Sequence, residues 1–373
     1  MRDLRRYLTH PYYWRRAMRR IFEKVVRQVH LETRLDQLVG DDLQAAHSSL
    51  RAGERLPGNG TRLLYVAPKF DYGNPARGYS YEENHFLPAL TGLGFNVIRF
   101  DSLALVGRLG KRAASDLLAE VAFRVQPEIA FFVLFKDDFH EEAVEELKRL
   151  GCVTFNWFTD DHWRFESFSS RWAPRFSWAI TTHAEAVRRY QERGATNVIR
   201  SQWAVNHRLY RPLDRLRRYQ ATFIGQPHGD RRQIVNALQR AGIAVEAWGY
   251  GWPRGKLSTR QMIYVINESA VNLNLSNASV GAVDQIKGRD FEVPACRGLL
   301  LSKSIAALEE YYAPGKDILT FATFEDLVDK IRWALAHPQE ADHIRESGYR
   351  RALRDHTYES RFLEVFRAAR VIA

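Results

Sequence analysis

The sequence has 373 residues, of which 45% are hydrophobic and 12% aromatic, so it is able to form substantial buried cores. This composition excludes a disordered chain, and two domains are expected at the usual size of ~100–200 residues each. The formal net charge is +11, and the two cysteines, Cys152 and Cys296, are too few for a disulfide framework or a cysteine-based metal site, which favours a reducing compartment.

Much of the positive charge lies at the N-terminus. Residues 1–30 carry nine Lys or Arg residues against two acidic ones, 9 − 2 = +7, together with several aromatic side chains. We predict a basic amphipathic helical extension over residues 1–57. Three interpretations stay open: it contacts anionic lipid, it contacts nucleic-acid phosphates, or it packs on the protein with a solvated arginine face.

The chain shows no apolar run long enough to span a bilayer, and arginines interrupt every segment that could serve as the core of a signal peptide. We therefore expect a cytoplasmic protein. The basic extension would allow peripheral contact with the inner face of the membrane.

From residue 61 onward, short apolar runs alternate with amphipathic stretches. The first series of predicted strands is Leu63–Ala67, Asn96–Phe100, Ile129–Phe135, Val153–Phe158, Trp178–Thr182 and Val198–Trp203. Predicted helices between them are Tyr81–Leu93, Glu141–Leu150 and Ala184–Arg193, each followed by a glycine suited to end a helix. This alternation predicts a parallel sheet covered by helices on both faces, in an N-terminal Rossmann-like domain over residues 58–208.

A polar, basic segment interrupts the pattern, and we assign residues 209–219 as a linker. A second series of predicted strands follows: Ala221–Gly225, Val245–Trp248, Val271–Leu275, Leu299–Ser302 and Ile318–Phe321. Its predicted helices include Arg231–Ala241, Arg260–Asn267 and Phe324–Ala336. We predict a second Rossmann-like domain over residues 220–345, followed by helices over residues 346–373.

Two doubly wound α/β domains in tandem are expected to face a cleft, with ligands at the carboxyl ends of the strands. Neither series contains a G-x-G-x-x-G turn or a G-x-x-x-x-G-K-[ST] loop. Ordinary dinucleotide dehydrogenases and P-loop nucleotidases are therefore disfavoured.

The most informative motif is KGRDFEVPACRG, residues 287–298, which leads directly into the strand Leu299–Ser302. It resembles the donor-binding stretch of group 1 glycosyltransferases of the GT-B fold, especially the branch of spore-maturation-like proteins. The resemblance continues over residues 220–365. It aligns Glu292 with the second acid of that family's Glu-x7-Glu pattern, and Asp284 stands eight residues earlier, where the first acid would be. The Asp at position 284 and the Arg297–Gly298 turn depart from the pattern.

The resemblance implies an enzyme of the EC 2.4 class, a hexosyltransferase or a related glycosyltransferase, whose co-substrate is a nucleotide sugar. It also implies that the last helices, residues 346–373, cross back to the N-terminal domain. No cofactor is expected, and the acceptor would be a cell-envelope, spore or capsule glycan or a lipid-linked sugar.

Elementary chemistry agrees with this interpretation. A departing nucleoside diphosphate develops negative charge, which fixed cations and helix N-terminal amides stabilise. The predicted donor-binding residues are Gly225, Arg231, Asp284, Lys287, Arg289 and Glu292, with Glu292 able to accept hydrogen bonds from ribose hydroxyls. The alternative is that Lys287 and Arg289 merely form surface pairs with Asp284 and Asp290.

The first domain would hold the acceptor and a catalytic base. Gly73 and Gly78 lie in the loop after its first strand, where backbone amides could approach the donor phosphates, and Ser80 with Glu83 has the spacing of a capping box. Glu82 follows on the first turn of the helix as a catalytic candidate, with simple support of the helix dipole as the alternative.

Asp160 and Asp161 follow the apolar strand Val153–Phe158, where α/β proteins place their sites. Either one could deprotonate an acceptor hydroxyl, or orient the other, or cap the next segment. Adjacent residues in a strand point to opposite faces, so a shared metal is disfavoured and a metal-independent reaction is predicted.

Two other functions stay open. The acceptor could instead be a modified nucleic acid, although most of the excess charge lies outside the predicted catalytic body. Alternatively, the chain could bind nucleotide sugars without catalysis.

Overall fold

The computed structural model describes residues 57–276 and 284–372. The predicted basic extension, including residues 1–30 with their three open interpretations, lies outside the described residues apart from residue 57. The described chain divides into two compact units. Of the described residues, the first unit contains 57–159, 164–200 and 366–372, and the second contains 160–163, 201–276 and 284–365.

The first unit is built on a six-stranded parallel sheet in the order β2-β1-β3-β4-β5-β6. Its strands are β1 (Arg62–Ala67), β2 (Asn96–Asp101), β3 (Ile129–Phe132), β4 (Val153–Phe158), β5 (Trp178–Thr181) and β6 (Val198–Arg200). Its helices are α1 (Tyr81–Gly92), α2 (Ser102–Val125), α3 (Glu141–Arg149), α5 (Ser170–Trp172) and α6 (Ala184–Glu192), and the short helix α4 (Asp161–Arg164) spans the boundary between the units.

The second unit contains a five-stranded parallel sheet in the order β11-β10-β9-β7-β8. Its strands are β7 (Tyr219–Ile224), β8 (Val245–Trp248), β9 (Ser269–Asn274), β10 (Leu300–Lys303) and β11 (Leu319–Phe321). Its helices are α7 (Arg231–Arg240), α8 (Thr259–Asn267), α9 (Arg289–Ala295), α10 (Ala306–Glu309), α11 (Phe324–Ala336) and α12 (Pro338–Asp355). A last helix, α13 (Tyr358–Ala368), begins in the second unit and ends among residues of the first.

The predicted fold class, two parallel α/β sheets in tandem, is confirmed. All eleven predicted strands are present, and their ends differ from the prediction by at most three residues. Strand β3 ends at Phe132 rather than Phe135, because the amide of Leu134 donates to the side chain of Asn156, at 3.1 Å, instead of continuing the ladder.

Glycines end the helices where the sequence predicts. Gly94, Gly151 and Gly194 have φ of 86°, 84° and 80°, the left-handed conformation that glycine adopts without a steric penalty. The long helix α2 was not among the predicted elements. Asp101 is its N-cap, whose Oδ1 accepts from the amide of Ala104 at 3.3 Å, and the helix is interrupted at Gly110, with φ of 80°.

Each unit has its own buried core. In the first, Leu64 and Phe132 of the sheet pack with Leu118 of α2 and Trp172, all fully buried. In the second, Ala221, Val271 and Leu301 of the sheet pack against Leu238 and Ile331 of the flanking helices. These cores hold the carboxyl ends of the strands in place, and the loops that follow those ends carry most of the candidate functional residues.

Candidate functional site

The second sheet has a topological switch point between β7 and β9. From this pair the chain continues outward to β8 on one side and to β10 and β11 on the other. Loops that follow the two central strands therefore diverge, and such a crevice is the usual ligand position in an open parallel sheet. The loop after β7 contains Gly225 and His228, and Leu275 follows β9.

Gly225 joins the loops after β7 and β8. Its amide donates to the carbonyl of Trp248 at 2.9 Å, and its carbonyl accepts from the indole nitrogen of Trp252 at 2.8 Å. A Cβ atom on Gly249 would lie 2.3 Å from the Gly225 carbonyl oxygen, so only glycine permits this approach. The predicted donor-binding residue Gly225 is thus held rigidly at the mouth of the crevice.

Arg231 spans the switch point from the first turn of α7. Its guanidinium donates to the carbonyl of Gln226 at 2.9 Å and to the carbonyl of Leu275 at 2.6 Å, which ties the loop after β7 to the loop after β9. The side chain is buried, and burial lowers the pKa of its guanidinium. Arg231 therefore supplies positive charge to the crevice while it also holds the two loops together.

Lys287 is a second cation beside the crevice, and Arg231 acts on it electrostatically. Its side chain forms no ion pair within 4 Å with a carboxylate of the described residues. Burial, and next the positive charge of Arg231, lower its pKa to about 8, against the opposing influence of Asp160, Asp290 and Asp284. A largely buried ammonium beside a second buried cation forms a site of positive potential that is suited to an anion.

His228 lies in the electrostatic neighbourhood of Arg231 and Lys287 and was not identified from the sequence. Burial lowers the pKa of its imidazole, and the positive charges of Arg231 and Lys287 lower it further. His228 lies in the turn between a buried strand and the start of α7, and this position in the sequence is the feature that could have identified it. A lone histidine in a loop carries little information without its neighbours.

Asp290 positions the backbone of Lys287. Its carboxylate is fully buried and accepts hydrogen bonds from Asn274 at 2.6 Å, Ser302 at 2.9 Å and the amide of Lys287 at 2.8 Å. Burial raises the pKa of Asp290, whereas these hydrogen bonds lower it. The network links β9, β10 and the start of α9, so the position of Lys287 is fixed by the sheet.

The remaining predicted donor-binding residues form pairs that the sequence did not indicate. Arg289 pairs with Glu292 one turn later on α9, and the side chain of Glu292 is 0% exposed. Asp284 pairs with Lys303 at 2.7 Å. The surface pairs of Lys287 with Asp284 and of Arg289 with Asp290 are absent from the described residues.

The dipole of a helix that begins near Asp290 is a further contribution expected from the sequence. Because α9 has only seven residues, its dipole adds little to the positive charge of Lys287 and Arg289.

In the first unit, Ser80 caps α1 as its spacing predicts. Its hydroxyl accepts from the amide of Glu83 at 3.0 Å. The reciprocal half of the capping box is absent, because the Ser80 amide donates to the carbonyl of Lys69 and the Glu83 carboxylate pairs with Arg99. Glu82 lies on the first turn of α1, beside this cap.

The loop between β1 and α1 consists of two short 3-10 turns, Asp71–Gly73 and Pro75–Arg77. Gly73 and Gly78, predicted as a phosphate loop, have φ of 71° and 83°. Their amides donate to the carbonyls of Phe70 and Pro75, at 2.7 and 3.0 Å. Both amides are therefore engaged inside the loop in this conformation and are not directed at a ligand.

Asp160 and Asp161 follow β4, as predicted, and they differ in exposure. Asp161 begins the short helix α4 and is only 1% exposed, whereas Asp160 is partly exposed. Both are grouped with the second unit. The negative charge of Asp160 acts on Lys287, which brings one predicted catalytic residue into the electrostatic neighbourhood of a predicted donor-binding residue.

Over residues 57–276 and 284–372, no group of three or more His, Cys, Asp or Glu side chains is arranged to bind a metal ion. Within the same residues, no helix combines the length and apolar character required to cross a bilayer.

Comparison with known proteins shows which proteins the chain resembles. Residues 228–367 match the family model described as "Glycosyl transferase-like". The match covers 140 of the 373 residues, and this part of the chain is therefore similar to glycosyltransferases. The chain is also 21% identical over 276 residues to the spore protein CgeB of Bacillus subtilis (strain 168), a match that covers 67% of this chain and 84% of CgeB.

Solved structures show the same fold. HepE from Anabaena, in complex with UDP and glucose, is 12% identical; the match covers 84% of this chain and all of HepE, with a TM-score of 0.55. Sucrose-phosphate synthase from Thermosynechococcus elongatus is also 12% identical, with 83% and 98% of the two chains covered and a TM-score of 0.57. The predicted GT-B fold is thereby confirmed.

Proposed function

We propose that the chain transfers a sugar from a nucleoside-diphosphate sugar to a hydroxyl acceptor, and that the crevice between β7 and β9 binds the diphosphate. The observation that carries this proposal is Lys287, a largely buried ammonium with no carboxylate within 4 Å among the described residues. A buried cation is unfavourable until an anion neutralises it, and a diphosphate supplies that charge.

The proposed reaction needs a cationic site because the glycosidic C–O bond breaks with both electrons leaving on the diphosphate oxygen. Negative charge on that oxygen is greater in the transition state than in the donor. A fixed cation therefore stabilises the transition state more than the ground state, which raises the rate. Lys287 and Arg231 would perform this role, and His228 adds a hydrogen-bond donor.

The other predicted residues complete the proposed donor site. Gly225 would allow close approach of the nucleotide to the loop after β7. Asp284 and the ion pair of Arg289 with Glu292 would lie around the sugar and the ribose, with Glu292 as the proposed partner of the ribose hydroxyls. Glu292 is fully buried beside Arg289, so this role requires direct contact between the ribose hydroxyls and the Glu292 carboxylate.

For the acceptor, we propose that Asp160 or Asp161 removes the hydroxyl proton as the new glycosidic bond forms. Glu82 is the alternative base. The electrostatic influence of Asp160 on Lys287 favours Asp160 or Asp161 over Glu82 as the base. A base must act close to the breaking glycosidic bond, and Lys287 is the proposed partner of the departing diphosphate. The acceptors proposed are the glycans and lipid-linked sugars expected from the sequence, and no metal is invoked in the step.

The test begins with UDP-sugars, because HepE, which shares this fold, binds UDP and UDP-glucose. Donor hydrolysis is measured with a panel of UDP-, GDP-, ADP- and dTDP-sugars, with UDP affinity measured by calorimetry. Wild-type protein is expected to hydrolyse at least one donor. Lys287→Ala should reduce kcat/KM by about 100-fold or more, the scale of losing one charge-stabilising donor.

Lys287→Arg is the matched control, since it keeps the positive charge and should retain a large part of the activity. Equal turnover in wild type and Lys287→Ala would show that the diphosphate binds elsewhere. Binding of UDP without turnover of any donor would identify a nucleotide-sugar-binding protein instead of an enzyme.

We also propose a cytoplasmic location with peripheral membrane contact through residues 1–30, which carry a net charge of +7. Flotation with vesicles containing anionic lipid tests it. Full-length protein should float with the vesicles, and a version that starts at residue 58 should not. Equal flotation of the two would contradict the proposal.

A further inference from the structure

The first sheet also has a switch point, and three exposed aromatic side chains surround it. Here β1 and β3 are the central neighbours, and β2 lies on one side while β4, β5 and β6 lie on the other. Tyr72 and Tyr79 belong to the loop after β1, and Phe135 follows β3. Their exposures are 60%, 44% and 38%, and we call these three residues the aromatic platform.

The rings of the platform are held from the protein side. The edge of one ring of the Tyr72–Phe135 pair meets the face of the other, with centroids 4.9 Å apart. The guanidinium of Arg77 lies 4.5 Å from the centre of the Tyr72 ring, and its Nε forms an ion pair with Asp71 at 3.0 Å. Tyr79 stacks on Phe70 with centroids 5.5 Å apart. Each ring is thus supported by a neighbour while a large part of it faces solvent.

The backbone beneath the platform is strained and closely packed. Tyr72 has φ of 53°, a left-handed conformation that costs a bulky residue about 1–3 kcal/mol. The following residue, Gly73, lies so close to α2 that a Cβ atom there would be 2.9 Å from the Cβ of Leu103. On the other loop, Arg164 donates to the carbonyl of Phe135 at 2.7 Å. The Tyr72 ring is exposed and held by neighbouring side chains, and the backbone that carries it is strained. This combination indicates a binding function rather than a folding one.

We propose that the aromatic platform binds a pyranose ring of the acceptor, so that the acceptor is a carbohydrate rather than a bare lipid or a protein hydroxyl. This inference rests on the proposed glycosyl transfer. A pyranose presents a flat face of C–H groups that packs on an aromatic ring, and hydroxyls at its rim that can bond to the phenols of Tyr72 and Tyr79. The switch point is where an open parallel sheet binds its ligand.

Saturation-transfer NMR of the full chain tests the proposal. The probes are methyl glucopyranoside, methyl galactopyranoside and methyl N-acetylglucosaminide, with sorbitol as an open-chain polyol that has no ring face. Wild-type protein should transfer saturation to the C–H face of at least one pyranoside and not to sorbitol. Tyr72→Asn should weaken that binding about tenfold, because Asn tolerates the left-handed backbone while the ring is lost.

Two further variants keep the test decisive. Tyr72→Trp should bind within about twofold of wild type, since it retains a stacking face. Phe123→Ala is the control, because Phe123 is 62% exposed on α2 but is not part of the platform. Phe135→Ala provides a second variant that lacks a platform ring, for use if Tyr72→Asn does not fold.

Three results would overturn the proposal. They are no pyranoside binding by wild type, equal saturation transfer to pyranosides and sorbitol, and pyranoside binding at the wild-type level by the variants that lack a platform ring.

Donor hydrolysis measured on the same samples separates the two proposals. Donor hydrolysis that is unchanged in Tyr72→Asn, together with lost pyranoside binding, supports both glycosyl transfer and pyranose binding by the platform. Donor hydrolysis by wild type without any pyranoside binding overturns only the proposal that the platform binds a pyranose. Pyranoside binding that depends on Tyr72, in a protein that hydrolyses no donor, overturns the proposed transfer and leaves a sugar-binding site.

Discussion

At the scale of single residues, the charge of Lys287 depends on its surroundings. Burial and the adjacent Arg231 lower its pKa to about 8, from an ordinary value near 10.4 in an unfolded chain. At pH values below about 8 the ammonium is charged in both states, so its burial destabilises the fold. That penalty decreases as the pH rises from about 8 towards ~10.4, because the native state releases its proton first.

We therefore expect Lys287→Met to increase the free energy of unfolding at pH 7, by about 1–3 kcal/mol, while it abolishes UDP binding. Urea denaturation at pH 7 and at pH 10 measures the change, and the gain should shrink at the higher pH. A Met variant that is less stable than wild type at pH 7 would show that the ammonium already has a favourable partner.

The same pKa predicts how ligand binding depends on pH. UDP affinity should fall as the pH rises through about 8, because deprotonated Lys287 no longer neutralises the diphosphate. Lys287→Arg should remove this dependence, since a guanidinium stays charged over the whole range. Calorimetric titrations between pH 7 and pH 9.5 test both statements. An identical pH profile in wild type and Lys287→Arg would mean that another group titrates.

At the scale of elements, the loops after the central strands are fixed by side chains that a local pattern does not reveal. Arg231 bonds to carbonyls of Gln226 and Leu275, and Asp290 joins β9, β10 and the start of α9. Ser80 plays a similar part in the first unit, where its hydroxyl accepts from the Glu83 amide and donates to the carbonyl of Pro68 at 2.6 Å.

Ser80→Ala should lower the free energy of unfolding by about 1–2 kcal/mol, because it removes the cap of α1 and leaves the Pro68 carbonyl without this donor. Thr91→Ala in the same helix is the control. Its exposed hydroxyl only bonds back to the carbonyl of Leu87, so a change within about 0.5 kcal/mol is expected. Urea denaturation measures both, and equal effects would mean that the cap adds nothing.

At the scale of the whole molecule, the first unit is completed by the far end of the chain. Phe366 of α13 is fully buried, and its ring contacts Phe95, Phe131 and Phe155 at centroid distances of 5.2, 6.2 and 5.4 Å. A core built from residues this distant in sequence depends on the completed chain.

Phe366→Ala should destabilise the first unit by about 3–5 kcal/mol, the usual loss for a buried phenylalanine. Phe123→Ala is expected to change stability by less than about 0.5 kcal/mol, since its ring is 62% exposed. Hydrogen exchange of the amides in β1 and β3 reports on this unit directly. Unchanged protection in Phe366→Ala would show that the unit is stable without the C-terminal ring.

The sequence alone determined the two sheets and their strands. Strands such as Val153–Phe158 and Val245–Trp248 were predicted to the residue, because both begin and end on apolar residues and the residues that bound them are local in the sequence. The order of residues 287–298 was likewise enough to indicate the group 1 glycosyltransferases.

Only the tertiary structure decided which of the predicted cations pair with carboxylates. Lys287 and Arg289 are two positions apart, yet Arg289 pairs with Glu292 while Lys287 has no carboxylate within 4 Å among the described residues. The meeting of Tyr72 with Phe135, and of Arg231 with Leu275, required the strand order of each sheet. Electrostatic pairing and ring contacts depend on distance in space, and residues remote in sequence become neighbours only when the sheets have formed.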